Sequence, residues 1–140
     1  MTAPGRDPSR FLQSAAAVLA GLLEVVVLSI GTDAVLHVTG IFPPPDQPVD
    51  DGFFLVATAY RTLYAVVGSY VAARMAPARP MQHAMALGVV ALVIGIVGAV
   101  VTWGRAPVYG PAWYPIALVF LALPAAWAGG VLALMRHPEA

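Results

Sequence analysis

Polar residues interrupt this 140-residue chain in only a few places. Between the interruptions run four apolar stretches, about Phe11 to Val38, Phe53 to Met75, His83 to Trp103 and Trp113 to Met135. The first contains AAAVLAGLLEVVVLSIG and the third GVVALVIGIVGAVV. Each reaches or exceeds the ~20 residues that carry a helix across ~30 Å of hydrocarbon. In that solvent every backbone N–H and C=O needs a partner within its own segment, which predicts helices. The alternating ~10-residue strands of a membrane barrel are absent. The expected fold is all-α: an integral membrane four-helix bundle, antiparallel and up-down, forming a single domain over residues 1–140.

The connectors support this division. IFPPPDQPVDDG, from Ile41 to Gly52, cannot be helical, because consecutive prolines lack N–H donors and favour an extended path. APARP, from Ala76 to Pro80, is a tight proline-bounded turn, and GRAPVYGP separates the last two spans. The first span follows Arg6 and Arg10 and so has the flank of a secretory leader. Its apolar run is too long for one, it carries Glu24, and no small-x-small cleavage site closes it. It is expected to be retained as a true span.

Composition sharpens the solvent argument. The chain is 60% hydrophobic and 10% charged, with a mean hydropathy of +0.82. A water-facing domain carries about 25% charged residues. The bilayer is therefore the first expected partner. The formal net charge is zero, so no electrostatic footprint for nucleic acid exists. There are no cysteines, which excludes disulfides and thiolate chemistry. Every basic residue is Arg, a usage read as coding bias rather than chemistry.

Charge placement sets an expected orientation. Arg6, Arg10, Arg74, Arg79 and Arg136 fall on one side of the spans, against Arg105 with Asp46, Asp50 and Asp51 on the other. The positive-inside rule then puts both termini in the cytoplasm, and the expected location is a bacterial inner membrane. Trp103, Tyr109, Trp113 and Tyr114 gather at one boundary, where amphipathic rings serve as interfacial anchors.

Helices in lipid associate through close contact and polar bonds. Small residues supply the first: Ala17 and Gly21; Ala57, Ala65, Gly68 and Ala72; Gly88, Gly95 and Gly98; Ala125, Ala126, Ala128, Gly129 and Gly130. Pro124 is expected to kink the fourth span. Arg61 lies on the second of these stripes, so it points toward protein. A charge near the bilayer centre costs roughly 2.5–3.5 kcal/mol even on the lenient scale, and a partner should offset that. Counting ~1.5 Å per residue from the shared boundary puts Arg61 and Asp33 at matching depth. Depth favours Asp33 as the partner; Glu24 is the alternative. The two acids are half a turn out of phase, so a straight helix cannot aim both at Arg61. Either Gly31-Thr32 interrupts the helix, or one acid pairs while Glu24 is protonated or bonded to a hydroxyl of another span. Tyr60 and Tyr64 are placed to contribute hydroxyls.

The candidate site is thus an intramembrane polar cluster of Glu24, Asp33, His37, Arg61 and Tyr64. It reads in two ways: a pair that fixes helix register, or the lining of a cation, proton or small-solute site. His83 and His137 sit at helix ends and read as solvated flanks. No metal-ligand spacing, GxSxG elbow, phosphate loop or dinucleotide fingerprint occurs, so no catalytic residue, metal or cofactor is expected and the chain is not expected to be an enzyme.

LAGLLEVVVLSIG around Glu24 resembles the first helix of the small multidrug resistance transporters. That resemblance implies proton exchange at Glu24. The chain departs from them in length, in its proline-rich acidic connector and in Arg61, which opposes cation binding. TDAVLHVTGIFPP, ATAYRTLY, ARMAPARPMQHA and GPAWYPIAL resemble small uncharacterised bacterial four-helix inner-membrane proteins. That likeness implies the fold and no activity. The expected role is structural or accessory, in a homo-oligomer or with a larger membrane partner. A proton-coupled small-solute transporter or channel subunit is the alternative.

Overall fold

The computed structural model describes residues 8–44, 47–105 and 109–136. Arg6, Asp46 and His137 lie outside the described residues. Within them the chain forms four helices: α1 (Pro8–Val38), α2 (Asp51–Met75), α3 (Pro80–Thr102) and α4 (Trp113–Arg136). All four are long and apolar enough to cross a membrane. The architecture is an all-α, antiparallel up-down bundle.

The first three helices start two or three residues earlier than hydropathy alone places them, and α4 starts where it was expected. Pro80 opens α3 at a position where its missing N–H and fixed φ do no harm. Asp50 caps α2, its carboxylate accepting from the Gly52 amide at 3.0 Å. At the other end of α1, Gly40 takes φ +72°. The chain reverses there, and the Phe42 amide returns to the Leu36 carbonyl at 2.9 Å. That turn tucks Phe42 against the bundle, where it is buried.

Burial is the reverse of a water-soluble bundle. Leu19, Leu23, Val27, Ile30, Val93, Ile94 and Phe120 face outward. The buried positions are mostly Ala, Gly and Ser, and the largest fully buried side chain is Ser69. Large apolar side chains gain nothing by leaving lipid, so the interior is given to residues that let backbones approach. A Cβ built on Gly129 of α4 falls 2.7 Å from the Ser69 Cβ and 2.8 Å from the Tyr70 amide nitrogen of α2. Gly88 of α3 meets Ala126 of α4. Gly98, expected in the same seam, has open space around it.

Contacts are unequal. α2 packs on all three other helices, and α3 packs closely on α4. α1 leans on α2, touches α3 lightly, and makes no contact with α4 among the described residues. Pro124 lies inside α4 without interrupting it. Thr58, Thr62 and Thr102 return their hydroxyls to the carbonyls four residues earlier, so these polar groups are satisfied within their own helices.

Candidate functional site

The α1–α2 seam carries the charge cluster. α1 runs unbroken through Gly31 and Thr32, so its two acids do point apart. Asp33 alone meets Arg61: Nη2 of Arg61 donates to Oδ2 of Asp33. The Tyr60 hydroxyl donates to the other carboxylate oxygen, Oδ1. Asp33 thus receives one donor on each oxygen from adjacent residues of α2.

Tyr64, the other expected hydroxyl, serves a different bond. It exchanges a hydrogen bond with the Thr32 hydroxyl at 2.7 Å, one residue before Asp33, and its ring lies 5.7 Å from that of Tyr60. His37 does not join the cluster through its ring nitrogens. Its Nδ1 pairs with the Asp33 carbonyl of its own helix at 2.7 Å, and its ring packs edge-on against Phe42 at 5.6 Å. His83 likewise pairs with a carbonyl of its own chain, that of Arg79, at 3.2 Å.

Glu24 stands apart. Both carboxyl oxygens are buried and have no hydrogen-bond partner. Oε2 lies 2.8 Å from where a Cβ on Gly68 would sit, so the missing side chain at Gly68 makes room for it. An unpartnered ionised carboxylate in hydrocarbon is far costlier than the neutral acid.

One participant comes from α4. The Arg61 guanidinium carbon sits 6.0 Å from the Tyr114 ring centroid, within cation–π range. Tyr114 also packs on Phe54 at 5.1 Å and is only partly exposed. Tyr114 therefore turns inward onto the cation, which departs from its reading as a boundary anchor. Trp113 keeps to the edge and donates Nε1 to Asp51 at 3.2 Å, while Trp103 and Tyr109 are exposed. The sequence signal available for Tyr114 was weak: the PAWYP group places two rings at a helix start, but which one faces the bundle depends on packing.

Two hollows meet at this pair. A vestibule of about 280 Å³ runs from Asp33 and Arg61 to the end of the bundle that carries Phe42, Gln47 and Tyr109. A groove of about 330 Å³ lies on the other side, between α1 and the α3–α4 pair, and has the same two charged residues in its lining. The Arg61 Nε between them is buried and has no hydrogen-bond partner. Among the described residues no group of three or more His, Asp or Glu side chains lies together as a metal would need. The arrangement can hold three helices in register and can present spare N–H donors to an acceptor. No family model, curated protein or solved structure matches the chain.

Proposed function

We propose that this chain is a small, non-enzymatic membrane protein with a structural or accessory role, in which Asp33, Tyr60 and Arg61 clamp α1 onto α2. The observation that carries the reading is the double engagement of Asp33, one oxygen by Tyr60 and the other by Arg61. Outside its seam with α2, α1 has little to hold it, since it meets α3 lightly and α4 not at all. In this reading the chain sits in a bacterial inner membrane with both termini cytoplasmic. It acts as a homo-oligomer or beside a larger membrane partner. The arginine bias and the four spans support that placement.

The test is a double-mutant cycle on unfolding in detergent with Asp33→Asn, Arg61→Leu and the pair. Removing one partner of a buried ion pair costs about 3 kcal/mol at the low end of such effects, and the low end applies because each side chain is about a third exposed. The double variant should recover much of that loss. Strict additivity would remove the clamp.

A second reading has one observation in its favour. The two unpartnered oxygens of Glu24 suit an acid that carries a proton, as a proton-coupled small-solute transporter or channel subunit requires. Against it, Glu24 lines none of the hollows described above. Reconstituted protein should then show proton-driven solute flux that Glu24→Gln abolishes. Equal flux in both, or none in either, rejects transport through Glu24.

A further inference from the structure

We propose that the groove between α1 and the α3–α4 pair is a phospholipid site, with one acyl chain along the groove and a zwitterionic head group on Arg61 and Asp33. This goes beyond the clamp, since the pair can join the helices whether or not a lipid is seated.

The groove exists because α1 packs along α2 and meets the α3–α4 pair at little more than one place; two contacts frame it. One is the tight approach to α2 and α3, where a Cβ on Gly21 would meet Leu87 of α3 at 2.8 Å and Ala72 of α2 at 3.1 Å. The other is the ion pair. Beyond these α1 stands off from α4. The space left is walled by Leu22, Val26 and Ile30 of α1, Ile94 of α3, and Leu118 and Leu121 of α4. Among the described residues, the charged ones in its lining are Asp33 and Arg61. A hollow that is apolar along its length and charged at one place matches an amphiphile. A purely apolar molecule leaves the charged pair unmet, and a small polar solute leaves the groove empty.

Charge selects the head. Asp33 and Arg61 sum to zero, so an anionic head would bring an uncompensated negative charge beside Asp33. A head with no phosphate offers little to a guanidinium, whose planar fork fits phosphate oxygens. A phosphate and an ammonium together mirror the site. The phosphate takes the spare Nη donors of Arg61, of which Nη2 gives one hydrogen to Asp33. The ammonium meets Asp33, which keeps lone pairs after accepting from Tyr60 and Arg61. It also meets the rings of the vestibule, Tyr60 and Tyr114 among them, which attract cations. The vestibule leads from the pair toward the connector end of the bundle, so the head has a polar and aromatic route to its place.

The experiment offers the purified full-length protein equal amounts of phosphatidylethanolamine, phosphatidylglycerol and diacylglycerol in detergent and reads retained lipid by native mass spectrometry. The expected result is one phosphatidylethanolamine per chain, preferred about tenfold, which corresponds to about 1.4 kcal/mol. Ala91→Phe, which fills the groove from α3 and leaves both members of the pair unmutated, should lose that preference while keeping its thermal stability. Ile94→Trp is an independent filler should Ala91→Phe not fold. Equal retention of the three lipids, a preference for phosphatidylglycerol, or full retention in a folded groove-filled variant would each overturn the site. Failure here is separate from failure of the clamp, which is read from unfolding energies alone.

Discussion

Gly21 of α1 and Gly68 of α2 lie backbone to backbone: a Cβ on Gly68 would sit 2.6 Å from the Gly21 carbonyl oxygen. About three turns further along α1 and about two along α2, Asp33 of α1 meets Arg61 of α2. The two contacts depend on each other. Close approach at the glycines holds the helices near enough for the charges to join, and the joined charges fix the rotation of α1 about its axis.

Enlarging Gly68 should therefore loosen the seam. Gly68→Val is expected to lose about 1–3 kcal/mol through overpacking, measured by thermal unfolding in detergent. Gly98, which has open space around it, is the contrast. Gly98→Ala should be neutral or gain about 0.5–1 kcal/mol, because alanine suits a helix interior better than glycine. A loss at Gly98 comparable to that at Gly68 would contradict the packing described.

The two tyrosines of α2 should separate cleanly. Tyr60→Phe removes a donor to a carboxylate and is expected to cost about 1.5–3 kcal/mol. Tyr64→Phe removes a hydroxyl-to-hydroxyl bond with Thr32 and should cost about 0.6 kcal/mol, the average for such bonds within membranes. Equilibrium unfolding of the two variants side by side decides it; equal losses would mean that Asp33 does not rely on Tyr60.

Tyr114 should matter through its ring. Tyr114→Phe is expected to be nearly silent, whereas Tyr114→Leu loses about 1 kcal/mol of cation–π attraction. In an Arg61→Leu background the Leu substitution should cost measurably less, since the cation is gone. An undiminished loss in that background would show that Tyr114 acts only by filling space against Phe54.

Topology is open to direct labelling, because the chain has no cysteine of its own. With single cysteines at Gln47 and Ala78, a reagent confined to the cell exterior should modify the Gln47 site and spare the Ala78 site. The opposite pattern would invert the bundle.

The four helices were legible in the sequence because their cause is local. Run length, hydropathy and the proline-rich connectors act residue by residue, and lipid demands that each span satisfy its own backbone. The Asp33–Arg61 pairing was also within reach. It follows from depth and helical phase, two quantities that residue counting supplies. Even the exclusion of Glu24 follows from phase once α1 is continuous, and that continuity was the open question.

Tertiary structure decided what counting cannot reach. Whether Tyr64 joins Arg61 or Thr32 depends on how α1 sits against α2, and whether Tyr114 faces lipid or the cation depends on how α2 and α4 rotate against each other. That rotation is set by the close approach at Gly129. Gly98 carries the same small-residue signal as Gly88 and Gly95, yet those two meet α4 and Gly98 meets nothing, because which face of α3 meets α4 is set by how the two helices pack. The groove beside α1 arises in the same way: it belongs to the space between helices, and no single helix carries its pattern.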